Sequence, residues 1–383
     1  MSESLKEKTI KGVGWSFADN IANTGITFLV GLVLARLLTP AEYGVMAMIS
    51  IFIALSNSII DSGFSNALIR KIDAKREDYN TVFYFNLVVG VLLYIILFFS
   101  SPVISSFFKE ALLVSVTRVI GLVLIVNALS IVQRTIFVKE VNFKIQTKIS
   151  LVASISSGAI GVGMALLDYG VWSLVGQQLA RQVLNSLFLW IYCSWRPAWE
   201  FSIRSFKELF SFGSKLLVSG LINTVYNNAY YIIIGRFYSS VQLGQYTRAE
   251  QFNTIFSSNL TSVIQRVSYP VLSSIQDEPE RLKQAYRRII KTTMLVTFAC
   301  MLGLAAAAKS LILILIGEKW LPAVSSDHLF FGDALSPSCY QSEYITSERS
   351  FRLVFKIGNY KENNSCRTYF DRYPVRYKIY AMG

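Results

Sequence analysis

Polar side chains recur at helical spacing inside three strongly apolar stretches of this sequence. Amide, phenol and guanidinium groups at such positions can hydrogen-bond a polar ligand, and burying them among apolar groups without a partner is costly. Intervals of three and four residues place them on one face of a helix. The candidate ligand-binding residues are Asn20, Asn23, Gln177, Gln178, Arg181, Asn223, Tyr226 and Asn227.

Arg181 is the cation of this set, and its planar guanidinium matches the oxygen atoms of a phosphate. The alternatives are an ion pair with Asp19 or Asp61, or a side chain that reaches the aqueous surface. The asparagines also have an alternative, because Asn and Thr join membrane helices by hydrogen bonds. Asp19 lies at the edge of the face that carries Asn20 and Asn23, and it is the candidate for coupling to an ion.

Motifs for covalent or metal chemistry are missing from the sequence. It has one histidine, and it contains no Walker loop, HExxH or GxSxG motif. Its four cysteines give no disulfide framework. We therefore expect a protein that is not an enzyme, with no catalytic residue, no metal and no cofactor.

The elements that must position the polar side chains are transmembrane helices. Of 383 residues, 53% are hydrophobic and 16% are charged, whereas a soluble protein is about one-quarter charged. Apolar spans of membrane-crossing length recur, which predicts an all-α polytopic membrane protein. The predicted spans are 14–35, 44–64, 81–100, 119–133, 149–167, 171–193, 213–235, 250–265 and 289–316.

The formal charge of +13 alternates with the spans. With the N-terminus inside, the predicted inward segments hold 21 of the 37 Lys and Arg residues, and the outward segments hold 7. Such a bias is the positive-inside pattern of membrane proteins. It argues against a nucleic-acid partner and predicts a cytoplasmic N-terminus.

One connection between spans occurs twice. The segment "LARLLTPAEYG", from Leu34 to Gly44, is followed 200 residues later by "IGRFYSSVQLG". Thr39 and Glu42 predict a capping box at a helix start, and Gly44 predicts close approach of a neighbouring helix. The matching residues in the second copy are Arg236 for Arg36, Ser239 for Thr39, Gln242 for Glu42 and Gly244 for Gly44.

The two copies favour an internal duplication. Six spans separate them, so both halves have the same orientation, which predicts a two-lobed helical bundle with a parallel pseudo-repeat. The alternative is that turns in membranes acquire Thr, Pro, Gly and Arg independently. The predicted domains are a six-helix N-terminal lobe over residues 1–200 and a partial C-terminal lobe of about three helices over residues 201–324.

Residues 325–383 form an atypical tail. They contain eight Lys and Arg, six Asp and Glu and no long apolar run, which is typical of a polar or disordered tail. With suitable codons, however, the adjacent reading frame from Leu329 encodes a basic turn followed by a new apolar span. We therefore expect that residues after Val324 are out of frame, so that the second lobe is truncated.

Five segments carry a family resemblance. They are "LARLLTPAEYGVMAM", "DSGFSNALIR", "GRFYSSVQLGQYTRAEQF", "YPVLSSIQDEPERLKQAYRRI" and "GEKWLPAV". Together they resemble the polysaccharide-transporter family of the multidrug/oligosaccharidyl-lipid/polysaccharide exporter superfamily. Within that family they are most similar to Wzx-type O-antigen and colanic-acid flippases. The resemblance covers about residues 1–324.

The resemblance implies a flippase of the bacterial cytoplasmic membrane. Its substrate would be an undecaprenyl-pyrophosphate-linked oligosaccharide, which it would move from the inner to the outer leaflet by alternating access. Its partners would be this substrate, membrane lipid and other polysaccharide-assembly proteins. The alternatives are a polymerase or glycosyltransferase of the same assembly, an exporter of another substrate in the superfamily, or an inactive scaffold.

Overall fold

The computed structural model describes residues 5–61, 63–252, 254 and 279–325, and every regular element in these ranges is helical. The predicted span 250–265 lies mostly outside the described residues, as does the tail from residue 326 onward. The helices are α1 (Leu5–Leu37), α2 (Pro40–Asp61), α3 (Phe64–Arg70), α4 (Arg76–Phe108), α5 (Leu113–Ile120), α6 (Leu122–Lys139), α7 (Phe143–Leu166), α8 (Val171–Tyr192), α9 (Ile203–Phe237), α10 (residues 240–252), α11 (Pro279–Leu315), a 3-10 turn (Glu318–Trp320) and α12 (Pro322–Ser325).

Five described stretches are long and apolar enough to cross a membrane. The described side chains of α1 form a shorter apolar stretch, Ile21–Leu37, and α8 and α9 are not among the five. The prediction of an all-α polytopic membrane protein is confirmed. The five stretches are Pro40–Arg70, Arg76–Phe108, Leu113–Lys139, Phe143–Leu166 and Lys291–Leu315.

Helix α4 is longer than the predicted span 81–100 because it continues through Pro102. Proline has no backbone N–H, so the carbonyl of Phe98 loses its helical donor. The Ser101 hydroxyl donates to that carbonyl at 2.7 Å and replaces the lost bond. The helix therefore spans 33 residues, or about 50 Å at 1.5 Å per residue.

The ends of α4 lie in two separate apolar clusters. One contains Phe108, Leu113 and Met48 with Leu243 of α10. The other contains Phe83, Phe64, Leu68 and Leu209 of α9. We call the end of the bundle that holds Phe108 the Gly44 end, since the α1–α2 and α9–α10 turns lie there, and the opposite end the Lys71 end.

The predicted capping residues bond each other in both copies, and in the second copy the two bonds are reciprocal, as in a complete capping box. The Glu42 carboxylate accepts hydrogen bonds from the Thr39 N–H at 2.6 Å and from its hydroxyl at 2.9 Å. In the second copy, the Ser239 N–H donates to Gln242 Oε1 at 3.2 Å, and the Gln242 N–H donates to Ser239 Oγ at 3.3 Å. These local bonds fix where α2 and α10 begin, and so they fix the place of Gly44 and Gly244.

Candidate functional site

Gly44 and Gly244 pack against each other's turns at the Gly44 end. A Cβ atom on Gly44 would overlap the carbonyl oxygen of Ser240, and one on Gly244 would overlap that of Pro40. Ser240 and Pro40 are themselves 200 residues apart. The contact is therefore reciprocal, as at an interface between two copies related by a two-fold axis. The predicted close approach at Gly44 is confirmed, and its neighbour is the second copy of the same turn.

Arg36 and Arg236 each donate to backbone carbonyls at a helix end in the other half of the protein. Arg36 of α1 donates to the carbonyls of Ile314 and Leu315 at the end of α11, the second of these at 2.7 Å. Arg236 of α9 donates to the carbonyl of Phe107 at the end of α4. Cations at these helix ends satisfy free carbonyls and oppose the negative end of the helix dipole. The first half, which contains α1, is thus bonded to α11 of the second half. The second half, which contains α9, is bonded to α4 of the first half.

The two arginines mark two corners of the Gly44 end. In the Met48 corner, the Phe108 ring approaches to 2.8 Å of where a Cβ of Gly235 would lie, and the Met48 side chain to 3.2 Å. In the Arg248 corner, Trp320 donates from its indole N–H to the carbonyl of Ala35 at 2.8 Å. Ala35 is the match of Gly235, and Arg248 is the match of Met48. One corner therefore buries a thioether where the other buries a guanidinium.

The Arg248 guanidinium lies between two aromatic rings. Its central carbon is 3.7 Å from the centre of the Tyr43 ring and 5.8 Å from the centre of the Trp320 ring. The side chain is 7% exposed. It donates to Gln251 Oε1 from one terminal nitrogen, while its Nε has no hydrogen-bond partner. Within the described ranges, no carboxylate forms an ion pair with it.

The energetics of Arg248 are close to balanced. A desolvated cation–π contact is worth about 2 kcal/mol, and one charge-assisted hydrogen bond about 1.5–3 kcal/mol. Taking an ion out of water costs several kcal/mol, and that cost is repaid in full only when its remaining groups are also bonded. The burial of Arg248 therefore adds little stability, whereas an apolar side chain such as Met48 adds about 2 kcal/mol.

Lys319 and Gln245 complete the Arg248 corner. Lys319 donates from its ammonium to the carbonyl of Arg36 at 2.7 Å, and Gln245 donates to the carbonyl of Lys319 at 2.8 Å. Burial lowers the pKa of Lys319 below its ordinary value, against the attraction of Glu42. The Lys319 bond joins α1 of the first half to the segment that follows α11, and the Gln245 bond holds that segment to α10 within the second half.

The Lys71 end is held by an ion-pair network. The Lys71 ammonium lies 3.1 Å from Asp78 of α4 and 3.1 Å from Glu208 of α9. Burial by itself would lower the pKa of Lys71, but its hydrogen bonds to the two carboxylates raise it above the ordinary value. Gly63 also approaches the backbone of Gly213, since a Cβ there would lie 2.7 Å from that carbonyl oxygen. The start of α9 is therefore bound to the first half.

Asn23 and Arg181, two of the predicted ligand-binding residues, contact other helices. Asn23 donates to Ser150 at 2.7 Å and accepts from Ser154 at 2.7 Å, both on α7. These are the helix-joining hydrogen bonds that the sequence left open as the alternative. Arg181 is exposed and donates to Thr27 at 3.4 Å. It therefore lies on the α1 side of α8, near the polar face of the first helix.

The other predicted residues are distributed over two helices. Gln177 packs against Gly161 of α7, since a Cβ added to Gly161 would lie 2.8 Å from the Cβ of Gln177. Gln178 is exposed. Asn223, Tyr226 and Asn227 are all exposed on α9. The side chains of two further candidates lie outside the described part: Asp19 and Asn20.

Sequence reasoning missed two polar groups inside the bundle. Asn127 donates to Asn57 at 2.8 Å and accepts from Gln182 at 3.1 Å, which links α6 to α2 and α8. Tyr231 donates to the Glu250 carboxylate at 2.6 Å, which links α9 to α10. Helical spacing was an available signal for two of these residues, since Gln182 lies four positions after Gln178 and Tyr231 lies four positions after Asn227. Glu250, a charge at the first position of the predicted span 250–265, was a further signal.

Comparison with known proteins adds family information to this geometry. Residues 33–325 match the family described as polysaccharide biosynthesis protein. The teichuronic acid biosynthesis protein TuaB of Bacillus subtilis (strain 168) is 28% identical over 84% of this chain and 67% of TuaB. The lipopolysaccharide biosynthesis protein WzxC of Escherichia coli (strain K12) is 24% identical over 83% of this chain and 65% of WzxC.

A solved structure shares the fold. The lipid II flippase MurJ, in an inward closed conformation, superposes with a TM-score of 0.64 at 14% identity, over 82% of this chain and 70% of MurJ. At this identity the likeness concerns the fold alone. The chain spans about two thirds of the length of the curated relatives it matches. Since the family match covers most of the chain and agrees with its membrane-helix fold, the chain belongs to the polysaccharide biosynthesis protein family.

Proposed function

We propose that this chain acts as a flippase for a lipid-linked oligosaccharide in the bacterial cytoplasmic membrane. The substrate is an undecaprenyl-pyrophosphate-linked polysaccharide repeat, and the Gly44 end faces outward, with the N-terminus in the cytoplasm. The names of two relatives, which concern teichuronic acid and lipopolysaccharide biosynthesis, support the substrate class. The fold shared with a lipid II flippase supports movement of the substrate between leaflets as the activity.

The observation that carries the proposal is the reciprocal contact of Gly44 and Gly244. A sugar pyrophosphate cannot enter hydrocarbon without losing its hydrogen bonds to water. Two halves of equal orientation that meet in a symmetric contact at one end can rotate apart there, as in transporters built from parallel repeats. The contact therefore supports an alternating-access carrier in which this end is closed.

Polar residues on α8 and α9 would replace the water of the headgroup. Arg181 is exposed and carries a fixed cation that suits the pyrophosphate. Asn223, Tyr226 and Asn227 are exposed on one face of α9 and would bond sugar hydroxyls. The lipid tail would stay in the bilayer, and Asp19 is the proposed coupling residue.

A reconstitution experiment tests this function. The purified chain is placed in vesicles that hold a fluorescent undecaprenyl-pyrophosphate oligosaccharide, and an impermeant quencher reports which leaflet the headgroup occupies. We expect movement between leaflets above the rate in empty vesicles, with no change in oligosaccharide length. A longer oligosaccharide would indicate a polymerase instead, and movement at the empty-vesicle rate would overturn the flippase proposal for this chain.

Arg181→Ala tests the proposed binding residue in the same assay. Loss of a charge-assisted bond to phosphate costs about 1.5–3 kcal/mol, so we expect transport to fall about tenfold or more. Arg181→Lys keeps the charge without the planar guanidinium, so its transport rate should lie between those of Arg181→Ala and the unchanged chain. Arg118→Ala is the matched control, because Arg118 contacts Ser101 and the Phe98 ring within the first half. Equal rates for Arg181→Ala and the unchanged chain would remove Arg181 from the site.

A further inference from the structure

We infer that Arg248 is the residue that allows the Gly44 end to reopen during transport, an inference that rests on the proposed alternating access. In the closed end, the Arg248 guanidinium is buried against Tyr43 and Trp320. Arg248 is 7% exposed, and its Nε has no hydrogen-bond partner. Separation of the two halves would return this cation to water. The buried charge therefore opposes closure, while the surrounding contacts favour it.

The groups around Arg248 support this assignment, since none of those described carries a negative charge. Tyr43 reaches it from α2, Trp320 from the turn after α11, and Gln251 from α10 itself. Gly31 of α1 completes the surroundings, since a Cβ there would lie 3.4 Å from a guanidinium nitrogen. Two rings and an amide hold the cation in place, but they do not replace the water that it loses.

The position of these groups links Arg248 to both halves. Tyr43 and Gly31 belong to the first half, whereas Arg248 and Trp320 belong to the second. Trp320 is fully buried and bonds the carbonyl of Ala35 across the same contact. Opening this end would therefore remove the Tyr43 ring from the guanidinium and expose it in a single movement. The matching position in the other corner, Met48, gains nothing from exposure.

Arg248→Met isolates the charge, because methionine fills a similar length and copies the other corner. The parent chain has its four cysteines replaced and carries Ala35→Cys, a fully buried position at this contact. An impermeant maleimide added from outside then labels Cys only while the end is open. A second parent carries Lys109→Cys instead, an exposed site at the same end, as the standard for orientation and amount.

We expect Arg248→Met to slow labelling at position 35 about tenfold, which corresponds to about 1.4 kcal/mol in favour of closure. Labelling at position 109 should not change. Arg118→Met, which removes an arginine from the Phe98 ring inside the first half, should leave both rates unchanged. Arg248→Lys keeps a charge and should label nearly as fast as its parent, so it reports on charge if the methionine variant is poorly produced.

Faster labelling in Arg248→Met would overturn the inference, because it would make Arg248 a clamp that holds the end shut. Unchanged labelling would overturn it too. The measurement needs no substrate, so it is independent of the flippase proposal. Slower labelling with no oligosaccharide movement in the unchanged chain would keep the role of Arg248 and reject the proposed substrate. No labelling at position 109 from outside would reject the orientation on which the experiment depends.

Discussion

The Met48 corner and the Arg248 corner occupy matching places in the two halves of this protein, yet they are built differently. In the first, Phe108 and Met48 pack on Gly235, and Arg236 bonds the end of α4. In the second, Trp320 packs on Ala35, and Arg36 bonds the end of α11. The backbone plan is shared, whereas the side chain beneath the ring has changed from a thioether to a guanidinium.

This difference shows how a duplicated fold can become asymmetric at small cost. The bonds that set the geometry use backbone carbonyls and turn residues, so the exchange of one buried side chain leaves them intact. An apolar side chain makes its corner a stable seal. A buried cation held by rings makes its corner a contact of nearly balanced energy. One corner can then act as the hinge side of a movement and the other as the side that opens.

Substitution of the two turn glycines should have the largest effect on this comparison. Gly44→Ala and Gly244→Ala each place a methyl group where a backbone carbonyl of the other half now lies, so the two halves cannot meet. We expect transport in the vesicle assay to fall by more than tenfold. The free energy of unfolding should fall by about 1–3 kcal/mol, as for other overpacked contacts.

Two glycines provide matched controls for that result. Gly25 on α1 and Gly220 on α9 have no atom within 4 Å of an added Cβ. Gly25→Ala and Gly220→Ala should therefore transport at the unchanged rate, with stability equal or slightly higher because alanine favours the helix. If Gly44→Ala behaved like these controls, the reciprocal contact would not take part in transport.

Removal of the two covering rings should separate the corners. Phe108→Ala opens a cavity in the larger apolar cluster and should cost about 3–5 kcal/mol of unfolding free energy. Trp320→Ala removes a larger ring, yet it also lets water reach the Arg248 guanidinium, so the loss should be smaller than for Phe108. Thermal unfolding in detergent measures both. A greater loss for Trp320→Ala would mean that the Arg248 corner is the better seal, contrary to the comparison.

The sequence predicted those features that depend on neighbours within a few residues. The capping bonds at Thr39 and Ser239 formed because each bond joins residues three positions apart. Gly44 was expected to approach a helix, but which helix depends on packing across about 200 residues, and the pattern alone does not contain that. The duplication itself was the available signal, because copies of one turn are natural partners across a two-fold axis.

The predicted binding faces show the same limit. Helical spacing places Asn23 on a polar face, but it does not say whether that face meets a ligand or another helix, and here the side chain bonds Ser150 and Ser154. Arg248 is one of the seven Lys and Arg residues of the predicted outward segments, and its position near a span end is typical of an exposed cation. Its burial depends on Trp320, which follows it by 72 positions. Residues 255–278, which lie between the two in the sequence, are outside the described part.

Substitution of Tyr43 should have the smallest effect and tests whether the ring is what holds Arg248. Tyr43→Phe keeps the ring under the guanidinium, whose centre is 3.7 Å away, and should change the unfolding free energy by less than about 0.5 kcal/mol. Tyr43→Leu removes the ring from a desolvated cation and should cost up to about 2 kcal/mol. Thermal unfolding of both variants gives the comparison. If phenylalanine cost as much as leucine, the hydroxyl rather than the aromatic face would stabilise this corner, and the cation–π contact assigned to Arg248 would not hold it.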